Sequence, residues 1–459
     1  MIRKLVCLII LLPLLANSQS PNDWINYDQN YFKFPISNDG IYRISFEALV
    51  NAGINVTELD PENIQIFAKG KEIPIYIQGD SDGSFDSKDF IEFYGEKNTG
   101  WYDHVLFSDS SHVLNPYISM FSDTLYHFLT WNSSTSNLRM KNEVDLNFNA
   151  YPQSNFFWDE ILYTSKSQFN AGGKTPVGYS LPEYSDGEGR YIEAVFASRQ
   201  AQYPWPVEPS NTSNVYKSAP DDGWVKVKLV GLTPNEHSIQ VKLNDSLIYN
   251  DTKSNYASAT VNCQVPSDFW EDQTDVLVKH ISTELNFNNK LGIAYVHLRY
   301  PKLYNLNGES NATMYIPPGP ESKDLLVIQN FNNLSSTVRL YDLTNGYRVH
   351  AQPLSGKFYA LVPNKGNERK CYLMTESGIK NISNIVPVSQ ESSKFINYQD
   401  AIIKKGGIDY LLVTGHDLLK SANEYSEYRE SKGLKSIVFD MDHTMSAHHC
   451  GPGLLMTKL

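Results

Sequence analysis

Asp409-Tyr410-Leu411-Leu412-Val413-Thr414-Gly415-His416 opens the stretch that decides the organisation of the chain, and Ser436-Ile437-Val438-Phe439-Asp440 closes it. The first run is apolar without alternation, the pattern of a strand buried on both faces. Leu418, Leu419, Ala422, Tyr425 and Arg429 then recur at helical spacing. Asp417 stands near the N-cap, and Lys432-Gly433 supplies a basic last turn and a glycine stop. A second apolar run follows, so strand, helix and strand fit within about 30 residues, the length of a parallel βαβ unit. Such a unit cannot cover its own sheet and reads as the opening of a larger α/β domain. Seventeen residues follow Asp442, without strand or helix periodicity, and the expectation is that this domain stops before it is built.

Everything upstream speaks a different grammar. Tyr31 to Ile36, Gly40 to Ser45, Ile64 to Ala68, Ile73 to Gln78, Phe90 to Tyr94 and Tyr126 to Trp131 are short runs rich in β-branched and aromatic residues, bounded by turns such as Asn38-Asp39-Gly40. Phe46 to Gly53 interrupts them as a short helix with a glycine C-cap. Tyr191 to Phe196, Trp224 to Val230, His237 to Leu243 and Asp275 to His280 alternate apolar and polar positions, the mark of half-buried sandwich strands. Tyr203-Pro204-Trp205-Pro206 reads as a loop, because proline donates nothing to a ladder. Ala294 to Tyr300, Leu325 to Gln329, Thr337 to Asp342 and Phe358 to Val362 make a third β segment. The expected chain is mainly β: a β domain over 19–135, a β-sandwich over 150–290, a third β segment over 291–395, and the start of an α/β domain over 405–459.

At the amino terminus Arg3 and Lys4 precede an apolar run from Leu5 to Leu15, followed by Ala16-Asn17-Ser18. A cationic start, 11 apolar residues and a small-x-small site describe a signal peptide over 1–18, too short to span a bilayer. An exported chain is expected, at the cell surface, outer membrane or beyond. Cys263, Cys371 and Cys450 would remain after cleavage, allowing at most one bridge, for which Cys263 to Cys371 is the pair within the β region. The net charge of −12 disfavours nucleic acid as a partner.

Taken in order, these parts become recognisable. Asp39-Gly40-Ile41-Tyr42-Arg43-Ile44, then Asp86-Ser87-Lys88-Asp89-Phe90-Ile91-Glu92-Phe93-Tyr94-Gly95, then Tyr410-Leu411-Leu412-Val413-Thr414 and Asn423-Glu424-Tyr425-Ser426-Glu427-Tyr428-Arg429-Glu430-Ser431-Lys432-Gly433-Leu434 stand in sequence. The chain resembles the N-terminal part of a gingipain-family cysteine peptidase precursor, of the kind that includes the type IX secretion sortase of Bacteroidetes, from about Trp24 to Asp440. The resemblance implies a caspase-like α/β catalytic domain whose nucleophilic Cys and partner His come from later strand ends. It also implies protein or peptide substrates for the full-length family and contact with outer-membrane secretion machinery. No catalytic residue carries over to this chain, and the tail beyond Asp442 departs from the family pattern, as a truncated frame would. The reading from a different class is a non-catalytic secreted β-sandwich protein that binds glycan or protein.

Local constellations each have a plain alternative. Gln78-Gly79-Asp80-Ser81-Asp82-Gly83-Ser84-Phe85-Asp86-Ser87-Lys88-Asp89 places oxygen side chains at loop positions 1, 3, 5, 9 and 12 around a glycine at 6, like a dockerin-type Ca²⁺ loop. Asp80, Asp82, Asp86 and Asp89 are therefore candidate calcium ligands, although Gln78 replaces the first acid and Asp89 is short for the last. Asp-Gly turns arise equally from local backbone preference. His448-His449-Cys450 has the residue types of a dyad or metal site without the spatial framework. Val438-Phe439-Asp440-Met441-Asp442-His443-Thr444 resembles the first motif of haloacid dehalogenase phosphatases but lacks the remaining parts. His416 is placed at a carboxyl sheet edge, where a structural role is the ordinary one. Trp101, Tyr102, Trp205 and Trp224 could offer a carbohydrate platform or simply pack.

Overall fold

The computed structural model describes residues 22–441, apart from 176, 198–201, 205–211, 283–285, 333–336 and 390–391. The expected signal peptide, Trp205, Asp442 and the His448-His449-Cys450 tail lie outside the described residues. The architecture is mainly β, in several sheets.

Alternation builds the first sandwich. Strand Phe32–Ile36 turns Phe32, Phe34 and Ile36 inward and leaves Lys33 and Pro35 outside. Its five-stranded sheet, in the order Val386–Pro387, Phe32–Ile36, Leu125–Trp131, Ile64–Ala68, Lys71–Ile73, faces a four-stranded one ordered Lys380–Asn381, Gly40–Ser45, Phe90–Gly95, Ile75–Gln78. Phe34, Ile44, Ile64, Ile91, Phe93 and Leu129 fill the core, with Leu49 from the short helix Phe46–Asn51. That helix forms as its sequence predicts: the Ser45 hydroxyl accepts from the Ala48 N–H at 3.3 Å, and Gly53 follows at φ +77°. Both sheets are completed by the chain returning much later. Lys380–Asn381 pairs with Gly40–Ser45, Val386–Pro387 pairs with Phe32–Ile36, and Ile382 and Ile385 enter the core. The end of the segment expected over 291–395 thus belongs physically to the first sandwich.

The second sandwich sets Ser258–Val265, Gly223–Gly231, Asn286–Lys302 and Phe157–Thr164 against Gln202–Pro204, Val276–Ile281, Glu236–Leu243 and Ser246–Ser254. Val227, Leu229, Val241, Trp270, Val278 and Leu298 pack between them. The boundary expected at 290/291 falls inside the 17-residue strand Asn286–Lys302. Tyr203 and Pro204, expected as the start of a loop, instead lie in the edge strand Gln202–Pro204 on Val276–Ile281, and an edge is where a strand tolerates proline.

A third unit runs antiparallel through Asn311–Ile316, Arg369–Thr375, Val338–Asp342, Tyr347–Leu354, Lys357–Pro363 and Lys323–Ile328. Tyr315 pairs with Trp158, so its sheet continues that of the second sandwich. Cys371 lies buried in this third core, whereas Cys263 is half-buried on the second sandwich, and both are free. The one bridge the sequence allowed within the β region does not form, because the two thiols belong to different cores.

Last comes the βαβ unit. Helix Tyr398–Lys404 precedes strand Tyr410–Thr414, helix Leu419–Ser431 and strand Ser436–Asp440, with parallel register from Tyr410↔Ser436 to Thr414↔Asp440. Two local details differ from the sequence reading. His416–Leu418 forms a 3₁₀ turn, so the residue before the helix is Leu418 and Asp417 does not cap it. Every residue of Tyr410–Thr414 is half-buried rather than buried; among the described residues it has a single neighbouring strand, Ser436–Asp440.

Candidate functional site

Parallel pairing brings the carboxyl ends of both βαβ strands to one edge. There the His416 Nδ1 lies 3.6 Å from Asp440 Oδ2, and the Asp440 side chain is nearly buried. The Asp440 N–H donates to the Tyr398 hydroxyl at 3.2 Å, while the Tyr398 ring stacks on Phe439 with centroids 4.1 Å apart. Tyr398 therefore anchors the strand end, and Asp440 orients His416. An oriented imidazole can move a proton, but among the described residues no hydroxyl or thiol nucleophile is bonded to this one. Asp440 is engaged by His416, and Asp442 of the phosphatase-like motif lies outside the described residues.

The loop from Gln78 to Asp89 closes on itself. Gly79 and Gly83, at φ +92° and +78°, bracket a 3₁₀ turn over Asp80–Asp82. The Asp82 carboxylate accepts from the backbone and hydroxyl of Ser84 at 3.0 Å each, which holds it below the usual carboxylate range. Asp89 folds beneath Gly79, and its Oδ2 accepts the Asp86 N–H at 2.6 Å. A Cβ on Gly79 would stand 1.9 Å from Asp89 Oδ1, so glycine is demanded there. Asp80, Asp82, Asp86 and Asp89 do not converge. Among the described residues no three His, Cys, Asp or Glu side chains are placed to share a metal, and as arranged these four do not fit a calcium cage.

The most strongly built polar cluster joins the first sandwich to the third unit. Glu92 is fully buried between Arg43 at 2.5 Å and Arg348 at 3.1 Å, and accepts the Tyr341 hydroxyl at 3.1 Å. Arg43 also reaches Glu376 at 3.1 Å. Around it Ile41, Met140, Tyr341 and Met374 form an apolar collar. The alternation of Phe90-Ile91-Glu92-Phe93-Tyr94 points Glu92 outward from its own core, which the sequence would assign to water. The third unit covers that face, and the carboxylate is satisfied by two guanidiniums instead.

Among the described residues, Trp101, Tyr102 and Trp224 form no shared platform. Trp101 and Tyr102 pack on each other at 5.1 Å in a loop, while Trp224 meets the edge of His297 at 4.7 Å on the second sandwich, with Lys226 4.0 Å over its ring. His297 completes a line of hydroxyl, imidazole and carboxylate that the sequence did not suggest. The Tyr117 hydroxyl is 2.9 Å from Nδ1 and Glu160 is 3.3 Å from Nε2. Burial pushes the Tyr117 hydroxyl far up, so it stays a donor, and the line fastens the Tyr117 loop to the sheet rather than activating an oxygen.

No protein-family model matches the chain, and no curated protein matches it in sequence. Among solved structures the fold is similar to dimeric latent PorU from Porphyromonas gingivalis, with a TM-score of 0.54 and 13% identity over 93% of this chain. This chain spans 38% of that one. Two further structures match at a TM-score of 0.17 over 31% of this chain. One is the CBM36-1 domain of a multidomain xylanase from the hindgut metagenome of Trinervitermes trinervoides, at 10% identity and 95% of its own length. The other is carbohydrate-binding module CBM36 in complex with calcium and xylotriose, at 6% identity and 98% of its length. Likeness that slight carries no argument. Among the described residues no helix is long and apolar enough to cross a membrane.

Proposed function

We propose that this chain is the N-terminal portion of a secreted, gingipain-like cysteine-type peptidase of the type IX sortase kind, whose β units are the scaffold on which an α/β domain begins. The observation that carries the reading is the return of residues 380–388 to the first sandwich immediately before helix Tyr398–Lys404. The chain entering the α/β unit is thereby tied to its own amino-terminal end. The Tyr31 N–H donates to the Ser393 carbonyl at 2.6 Å, and Phe395 sits buried against Trp24, Tyr31 and Phe128. A long β body with an anchored lead into a parallel βαβ unit is the arrangement a scaffold for such a domain needs, and similarity of fold to PorU over nearly the whole chain is in keeping with it.

In this reading export follows from the signal peptide over 1–18, the partners of the complete protein are protein or peptide substrates and outer-membrane secretion machinery, and cleavage proceeds through a cysteine thiolate. Neither cysteine among the described residues suits that role. Cys371 is fully buried and its thiol is pushed well up by desolvation, while Cys263 has no histidine hydrogen-bonded to it.

The test is the coding sequence downstream of Leu459. A frame that continues the parallel sheet and supplies a Cys and a His supports the proposal, and the full product should then hydrolyse peptides while residues 19–459 alone do not. A genuine stop codon with a folded, exported product would defeat it in favour of a non-catalytic β-sandwich protein that binds glycan or protein.

A further inference from the structure

Beside the buried Glu92 cluster, the first sandwich and the third unit leave an open notch of about 410 Å³, within the range of about 300–1,000 Å³ common for small-molecule sites. Lys97 and Lys380 line it from the first sandwich, and Asn311 and Tyr372 from the third unit. Next to the lining residue Asp39 stands Gly40, whose φ of +147° is accessible to glycine and strained for other residues. From the point where a Cβ would stand on Gly40, the Lys380 Nζ is 3.5 Å away and the Tyr372 hydroxyl 3.8 Å. An ammonium and a phenol therefore converge beside a residue that carries no side chain.

These donors are positioned but not neutralised. Lys380 Nζ donates to the Asp39 carbonyl at 3.2 Å and lies 5.2 Å over the Tyr42 ring, which fixes its direction and leaves it other protons to donate. Nearby Lys69 and Lys370 both pair with Glu96, at 2.6 and 3.6 Å. Among the described residues neither Lys97 nor Lys380 has a carboxylate partner, and neither the Tyr372 hydroxyl nor the Asn311 amide has a hydrogen-bond partner. The one acid in the lining, Asp39, spends Oδ1 on the Lys97 backbone N–H at 2.8 Å. Burial and the neighbouring Asp39 raise Tyr372, so its hydroxyl remains a donor at neutral pH. Two cations against one acid make this notch locally positive in a chain of net charge −12.

We propose that this notch binds a small organic dicarboxylate, one carboxylate seated on the Lys380 ammonium and Tyr372 hydroxyl and the other facing Lys97, with the Asn311 amide between them. Two point-like ammonium groups in one lining match two separated negative charges better than one. Because the walls belong to different β units, the ligand also ties those units together, and this holds whether or not the chain is part of a peptidase.

The probe is succinate, titrated calorimetrically into the purified full chain, with acetate, inorganic phosphate and potassium chloride at matched ionic strength as the other arms. Succinate should give saturable heat and raise the melting temperature by about 2–4 °C at roughly ten times its dissociation constant. Lys380→Gln and Lys97→Gln, on separate segments, should each weaken it by about tenfold while leaving the unliganded melt in place, and Tyr372→Phe should weaken it by a smaller factor. Absence of saturable heat, equal affinity in wild type and both lysine variants, or phosphate binding as tightly as succinate would each overturn the proposal.

Discussion

Two strands of nearly the same composition meet opposite fates in this molecule. Asp324-Leu325-Leu326-Val327-Ile328, in strand Lys323–Ile328, is buried on both faces, whereas Tyr410-Leu411-Leu412-Val413-Thr414 is half-exposed at every position. The difference is in what lies on the second face. Leu326 and Ile328 enter the third core, and Leu325 and Val327 are covered by Phe148 and Tyr151 from the connecting segment. Among the described residues the Tyr410 strand has one neighbouring strand. Strand Phe90–Gly95 repeats the first case with a charge, since Ile91 and Phe93 face the first core and Glu92 is covered by the third unit. A continuous apolar run states a need for cover on both sides, and only tertiary structure states whether that need is met.

The sharpest way to break the covered case is Glu92→Ala. It strands Arg43 and Arg348 at the joint without their shared carboxylate, the situation that costs about 3–5 kcal/mol when one partner of a buried pair is removed. Urea unfolding of the full chain should show that loss, and a loss below about 1 kcal/mol would mean that water reaches the joint. Next in size is a matched pair of deletions. Leu326→Ala, in a fully buried site, should cost about 3 kcal/mol, while Leu412→Ala, half-exposed, should cost no more than about 1.5 kcal/mol. Equal costs would show that the Tyr410 strand is covered in solution by something other than the described residues.

Acid should separate the regions too. His127 in the first sandwich and His280 in the second are fully buried, and desolvation holds each down to about 4. His280 Nδ1 donates to the Val195 carbonyl at 3.2 Å, which favours the charged form, but desolvation outweighs it. A histidine whose folded value is depressed binds its proton more readily when unfolded. Stability is therefore level above about pH 6.5, falls as pH drops from there toward about 4, and levels again below, with each group contributing up to about 3 kcal/mol. His280→Asn should remove one group's share of that slope. A melting temperature independent of pH between 7 and 5 would show that these imidazoles are hydrated.

What could be read locally was read correctly in kind. Alternation in Trp224 to Val230 and the unbroken runs at Tyr410 and Ser436 named their strands, and Gly53 marked the end of the first helix, whose Ser45 N-cap the reading passed over. What failed was pairing across distance. Lys380–Asn381 and Val386–Pro387 are two-residue strands, one carrying a proline, and no periodicity fits into two residues. They take their conformation from Gly40–Ser45 and Phe32–Ile36, more than 300 positions away. Glu92 finds Arg348 256 positions away, so its own neighbourhood marks it only as an outward polar residue. The notch beside Gly40 was illegible for the same reason, its donors coming from the first sandwich, the third unit and the returning segment.

The calcium-like loop carries the smallest expected effect and tests the same lesson on a motif of spacing. Positions 3, 5, 9 and 12 can wrap an ion only if their carboxylates turn inward together. Here Asp82 is bonded to Ser84 and Asp89 to the Asp86 backbone, so two of the four carboxylates are already engaged within the loop. Gathering those groups around an ion would break hydrogen bonds worth about 1 kcal/mol apiece before any is gained. Millimolar Ca²⁺ in place of a chelator should therefore move the melting temperature of the full chain by less than about 1 °C. A saturable rise of several degrees, abolished by Asp82→Asn, would show that the loop reorganises around the ion and that its spacing, rather than its present hydrogen bonds, was the better guide.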